Sequence, residues 1–182
     1  MVQDFEHVKA STFDEDKFLV TNISKKKTHQ AFGFKYNGSH RFSLLLDNEA
    51  VIDYDMSSFN DDGKYKMTVR MDDDCQSIQV LDKIFDKTYR EKHSDLIEMS
   101  RPLSNGGSFN IKHSGSFQRV DFLRYNDEGE FEQMDVTDEE ALKILSFKKG
   151  RRLHFGVSLL GYVGKESSMV SMYLNEVLIV KE

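Results

Sequence analysis

Near the end of the chain, Lys148, Lys149, Arg151 and Arg152 crowd around Gly150 at the start of a β-patterned run. A second basic row falls on alternate residues: Lys64, Lys66, Thr68 and Arg70 interleave with Tyr65, Met67, Val69 and Met71. Alternation puts each set on its own side of a strand, so one face is basic and the other apolar. Rows of lysine and arginine suit phosphates, whose condensed counterions they displace. Lys25, Lys26 and Lys27 precede a segment bearing Phe32, Phe34 and Tyr36, and Lys35 and Arg41 flank the turn that follows. Rings beside cations are what a single nucleic-acid strand requires, because its bases stack on aromatic faces. Tyr36, beside the turn and next to Lys35, is the best placed to stack, whereas its companions Phe32 and Phe34 have the spacing of a core stripe. The basic face of 64–70 would serve equally as the solvated exterior of a barrel.

Other chemistries find little support. The histidines at 7, 29, 40, 93, 113 and 154 are never at ligand spacing with one another or with Cys75, so a structural zinc site is not expected. Asp72, Asp73 and Asp74 could gather around a hard cation, but acidic residues just before a helix are accounted for by its free N–H groups and dipole. No phosphate-wrapping GxxxxGK[ST] loop, GxSxG elbow, HExxH pair or Cys–His nucleophile pattern occurs. The expectation is a protein without catalytic residues and without a cofactor. With 25 Lys+Arg against 31 Asp+Glu, the chain carries a formal charge of −6, which argues against wholesale coating of a duplex and for a localised basic groove. The single cysteine excludes an internal disulfide and suits a reducing compartment, and no apolar run reaches transmembrane length. A soluble intracellular protein without a membrane partner is expected.

These residues need strands to hold them. Leu153, Phe155, Val157 and Leu159 alternate with His154, Gly156 and Ser158. Runs 151–162 and 169–180 therefore read as a long antiparallel hairpin joined by 163–168. Further strands are expected over 17–22, 31–36, 41–46 and 64–71, with Asn37-Gly38 as the hairpin turn between the second and third. The period changes over 77–99, where Ile78, Leu81, Ile84, Phe85, Tyr89 and Leu96 fall at helical spacing. Another β-rich stretch covers 108–113, 117–125 and 130–136. Thr137 with Glu140 forms a capping-box pattern that opens a short helix through Leu145. Strands, one long helix, more strands and a closing hairpin read as a mainly β, OB-like, partly closed antiparallel barrel. All 182 residues form one domain, with a core of about 17–98 and 148–182 and an inserted β-hairpin region of about 99–147.

Three segments together, FKYNGSHRFSLLL (34–46), GKYKMTVRM (63–71) and the helix from Ile78, followed by the closing strands over 148–180, resemble a known family. It is the single-stranded DNA-binding proteins of large double-stranded DNA viruses and related phages. The resemblance runs from about Phe32 onward and implies an OB-fold with insertions. It also implies non-sequence-specific binding of single-stranded DNA in replication and recombination, alongside replication proteins. The basic contacts it implies are Lys35, Arg41, Lys64, Lys66 and Arg70 in the first half, then Lys148, Lys149, Arg151 and Arg152, with Lys112 as an addition. The aromatic contacts it implies are Tyr36, Phe42, Tyr65 and Tyr162.

Two other readings stay open on the sequence. A viral structural or assembly protein with a β-sandwich fold would show the same strands and acidic balance. An enzyme with a site assembled from scattered acids such as Asp53, Asp55 and Asp121 is the other. Exposed strand edges could also pair between chains, so a homo-oligomer is a further expectation.

Overall fold

Alternating apolar residues close here into a ring of strands. The computed structural model describes residues 5–58, 64–72, 74–92, 99–100, 107–114, 117–146, 152–165 and 168–180. In chain order the strands before the first long helix are β1 (Glu6–Lys9), β2 (Phe18–Val20), β3 (Ser24–Lys25), β4 (Gln30–Phe32), β5 (Phe34–Tyr36), β6 (Phe42–Ser58) and β7 (Lys64–Arg70). Helix α1 (Gln76–Lys92) follows, then β8 (Met99–Ser100), β9 (Ser108–Ser114), β10 (Asp121–Tyr125) and β11 (Phe131–Met134). Helix α2 (Asp138–Leu145) precedes the closing strands β12 (Leu153–Val163) and β13 (Ser168–Ile179).

The main sheet runs β11-β10-β13-β9-β7-β6-β12-β4-β3, with β13 also pairing β12. The extra pairing joins β6, β7, β9, β13 and β12 into a closed circuit, which leaves those five strands without free edges. The circuit is antiparallel except where β13 meets β9, which run parallel through Met172↔Ile111 and Tyr173↔Lys112. The closing hairpin forms as its alternation predicts. Leu153, Phe155, Val157 and Leu159 are buried, and β12 pairs with β13 from Leu153↔Ile179 to Val163↔Ser168, with a bulge at Gly156/Val157. Met67, Val69, Phe109, Ile111, Phe155, Met172 and Val177 fill the interior, and Ile78, Leu81, Ile84 and Phe85 of α1 pack on the same core. Phenylalanines contribute most here because each buries a large apolar area.

Several expected boundaries move. Helix α1 is described through Lys92, and Met99 lies in a strand that pairs with β13, so the helix does not reach residue 99; Leu96 lies outside the described residues. The run 31–36 is two strands in two sheets. The Gly33 N–H donates to Thr21 Oγ1 at 2.8 Å and the Gly33 carbonyl accepts from Thr21 N at 2.9 Å, which draws the chain off β12 and onto β2. Asn37 (φ 48°) and Gly38 (φ 82°) do make the turn, but β5 pairs with β2 and not with β6. Phe117–Arg119 is a 3-10 turn, so only 121–125 of the expected 117–125 is strand. Strand β9, expected within the inserted region, is a member of the ring. The capping box on α2 is complete: Thr137 accepts from Glu140 N, and Glu140 accepts from Thr137 N. No helix among the described residues is long and apolar enough to cross a membrane.

Strand β1 runs parallel to β6 and is clasped by a polar network. His7 Nε2 meets Glu176 Oε1, and the Ser43 hydroxyl donates to Glu176 Oε2 at 3.0 Å. Further along β12, Gly161 is where the ring accepts a neighbour at close range, because a Cβ there would stand 2.2 Å from the Phe32 ring. Gly161→Ala is therefore expected to cost ~1–2 kcal/mol by overpacking, read as a lower midpoint of thermal unfolding. An unchanged midpoint would mean that Phe32 yields freely.

Candidate nucleic-acid interface

The outward residues of four neighbouring strands line up into one row. Across β7 and β9, Lys66 stands opposite Lys112; across β9 and β13, Lys112 stands beside Tyr173; across β13 and β12, Tyr173 stands opposite Ser158. The inward residues between them, Met67, Ile111 and Met172, are buried, so the period of two keeps the row on the outside. The next outward row holds Thr68, whose hydroxyl donates to Asn110 Oδ1 at 3.0 Å, and Ser171, whose hydroxyl accepts from Lys112 Nζ at 2.9 Å. Tyr162, further along β12, reaches back so that its hydroxyl lies 2.9 Å from that of Tyr173. Its ring centroid is 5.4 Å from that of His29. The surface thus presents two cations, then two joined tyrosines.

Electrostatics sharpen this arrangement. Burial, and next the positive charge of Lys66, hold the Lys112 amine below the usual lysine range. Two ammonium groups brought together by strand register repel, and an anion between them relieves that repulsion. Burial chiefly, and then the hydrogen bond with Tyr162 that its neutral hydroxyl makes, push the Tyr173 phenol far up, so it adds no negative charge to the face in ordinary buffers. One pH dependence follows. Lys112 gives up its proton as pH rises before an ordinary lysine would, so binding of a polyanion weakens in alkaline buffer ahead of the general lysine titration. Lys112→Gln is expected to remove that early loss when affinity is followed upward from neutral pH. Its persistence in the variant would assign the titration to another group.

The sequence-predicted contacts divide. Lys66, Lys112 and Tyr162 meet on this face, and Lys64 lies at the end of the same strand, opposite Ser114. Arg70 belongs to the outward set of β7 but holds Asp53 at 3.2 Å, and Arg152 holds Glu49 at 3.1 Å. Tyr65 is half-buried near Phe117, ring centroids 6.3 Å apart, on the other side of β7 from the lysines. Tyr36 and Phe42 are corrections. At 6% and 4% exposure they are core residues, the Tyr36 ring packing at a tilt against both Phe13 and Phe42, and the Tyr36 hydroxyl accepts from Asp14 N at 3.1 Å. A ring held this way offers no face to a base. Lys35 lies on the small β2–β5 sheet, half-buried and opposite Leu19, and Arg41 is exposed just before β6. Lys148, Lys149 and Arg151 lie outside the described residues.

Sequence reasoning missed Tyr173. Its signal was present, since Ser171, Tyr173 and Asn175 form the alternate set of β13 and an aromatic among them has to be outward. Of the acids considered for catalysis, Asp53 is paired with Arg70, and Asp121 accepts from Gln133 at 3.0 Å. Among the described residues no group of three or more His, Cys, Asp or Glu is placed to hold a metal.

No family profile matches the chain, and no curated protein matches its sequence. Solved structures do. The single-stranded DNA-binding protein of bacteriophage Enc34, in a C-terminally truncated form, is similar over 90% of this chain and 95% of that one, with a TM-score of 0.50 and 14% identity. The same phage protein in complex with single-stranded DNA covers 89% of this chain and 96% of that one, with a TM-score of 0.49 and 14% identity. The bacteriophage T7 protein gp2.5, also a single-stranded DNA-binding protein, covers 91% and 86% respectively, with a TM-score of 0.46 and 16% identity. At these identities the likeness is one of fold.

Proposed function

We propose that this chain binds single-stranded DNA without sequence preference, on an OB-like barrel, in the replication and recombination of a viral or phage genome. The observation that carries the reading is the row Lys66–Lys112–Tyr173 with Tyr162 joined to it, assembled from four strands of a closed ring. Its parts have separable tasks. The lysines neutralise phosphates, and the tyrosine rings give bases a flat surface. Stacking is indifferent to base identity, so such a face holds a strand without reading it. The parallel third and fifth members of the ring, β9 and β13, support the OB-like assignment. So does the fold shared with the Enc34 protein, which is itself named a single-stranded DNA-binding protein. The reading assigns no catalysis and no cofactor to the chain.

Fluorescence anisotropy with a labelled poly-dT oligonucleotide tests it, at low and moderate salt, beside a duplex of equal length. Tight binding to the single strand that weakens with salt is the expected result. No binding at low salt, where phosphate contacts are strongest, would overturn the reading and favour a structural role in assembly.

A further inference from the structure

Beyond Tyr162 the sheet continues through β4 to β3, and there it borders a second feature. An open cleft of about 570 Å³ lies between the β3–β4 turn and the end of β12. Its walls carry Lys25, Lys26, Lys27 and Lys165 together with His29, and none of the lining residues is acidic. In a chain with a formal charge of −6, that concentration of cations stands out. The turn is tightly built: Lys25 pairs with Gln30 across it, Lys26 N donates to the His29 carbonyl at 2.7 Å, and Thr28 Oγ1 lies 3.0 Å from His29 Nδ1.

Elsewhere several cations are occupied. Arg70, Lys87, Arg90, Arg124, Lys143 and Arg152 each hold a carboxylate. Among the described residues, none of the four cleft lysines stands in an ion pair. Like charges kept together without acids raise the local potential and attract anions. The cleft walls offer no phenylalanine, tyrosine or tryptophan and only Val163 as a sizeable apolar side chain, so they suit backbone phosphate better than a base. Tyr162, whose ring neighbours His29, marks the boundary between the tyrosine face and this cleft.

We propose that the cleft is a phosphate subsite: it takes consecutive phosphates of the strand whose bases lie on the tyrosine face. The proposal rests on the single-strand reading above and adds to it a path and a division of labour. Bases are held on β12 and β13, and a large share of the salt dependence comes from the β3–β4 turn. The strand therefore crosses the sheet from β7 toward β3 and does not follow the barrel alone.

The test compares Lys25→Gln/Lys26→Gln/Lys27→Gln with a charge-matched control, Lys9→Gln/Lys83→Gln/Lys143→Gln, whose residues lie on β1, α1 and α2. All are substitutions of exposed side chains, and thermal unfolding checks that both variants fold. Affinity for labelled poly-dT is measured across a sodium chloride series. Each phosphate contact on a single strand contributes about −0.7 to the log–log slope, so the cleft variant is expected to be shallower by about 2. The control keeps a slope near that of the wild type. Equal slopes for the two variants would overturn the cleft while leaving the tyrosine face in place. A wild type that fails to bind at low salt would overturn both.

Discussion

Tyr173→Leu is expected to weaken binding of single-stranded DNA roughly 5- to 150-fold, the loss of one stacked base at ~1–3 kcal/mol. Leucine keeps an apolar side chain on the outward side of β13 but has no flat face. Tyr173 stands beside Lys112 in the β9–β13 register and opposite Ser158 on β12, so no other ring occupies the middle of the row. The salt slope should not change, because no cation is removed. Tyr173→Phe separates stacking from the hydroxyl contact with Tyr162: it keeps the ring, loses a 2.9 Å hydrogen bond, and should bind within a few-fold of the wild type. Anisotropy titrations at fixed salt read all three proteins. If Tyr173→Leu bound as the wild type does, Tyr173 would not be a stacking surface. If its slope fell, the substitution would have displaced Lys112.

The largest effect on stability is expected at Phe155. Phe155→Ala should cost ~3–5 kcal/mol, the sum of lost apolar transfer and the cavity left behind. For a chain of this size each kcal/mol lowers the unfolding midpoint by ~2–4 °C, so a fall of about 6–20 °C is expected by calorimetry. The position explains the size. Phe155 is fully buried and sits on the strand that closes the ring, opposite Val177 on β13 and Leu46 on β6. A cavity there removes contacts from both seams at once. Phe155→Leu keeps most of the volume and should lose much less. A loss below about 1 kcal/mol for the alanine variant would mean that β12 collapses into the space.

These two positions illustrate how unevenly the chain discloses itself. Phe155 was legible, because the alternation Leu153, Phe155, Val157, Leu159 assigns a buried face from residues two apart. Lys66 was legible as an outward cation for the same reason. The capping box at Thr137 and Glu140 needed only a spacing of three. The Asn37-Gly38 turn was also local, since it depends on two residues that accept positive φ. Tyr36 was misleading: its neighbours Lys35 and Asn37 suggest a surface, but β2, Phe13 and Phe42 come from elsewhere in the chain to cover it.

By itself, then, the sequence determined the strand phases, the cap of α2, the acidic balance and the absence of recognisable catalytic motifs. Those properties depend on a residue and its near neighbours. Only the tertiary structure decided which basic and aromatic residues share a surface. Lys66, Lys112 and Tyr173 come from β7, β9 and β13, and the cleft draws Lys25–Lys27 and Lys165 from opposite ends of the chain. Strand partners are chosen by backbone hydrogen bonds between distant segments, and a period of two says which way a side chain faces but not what it faces.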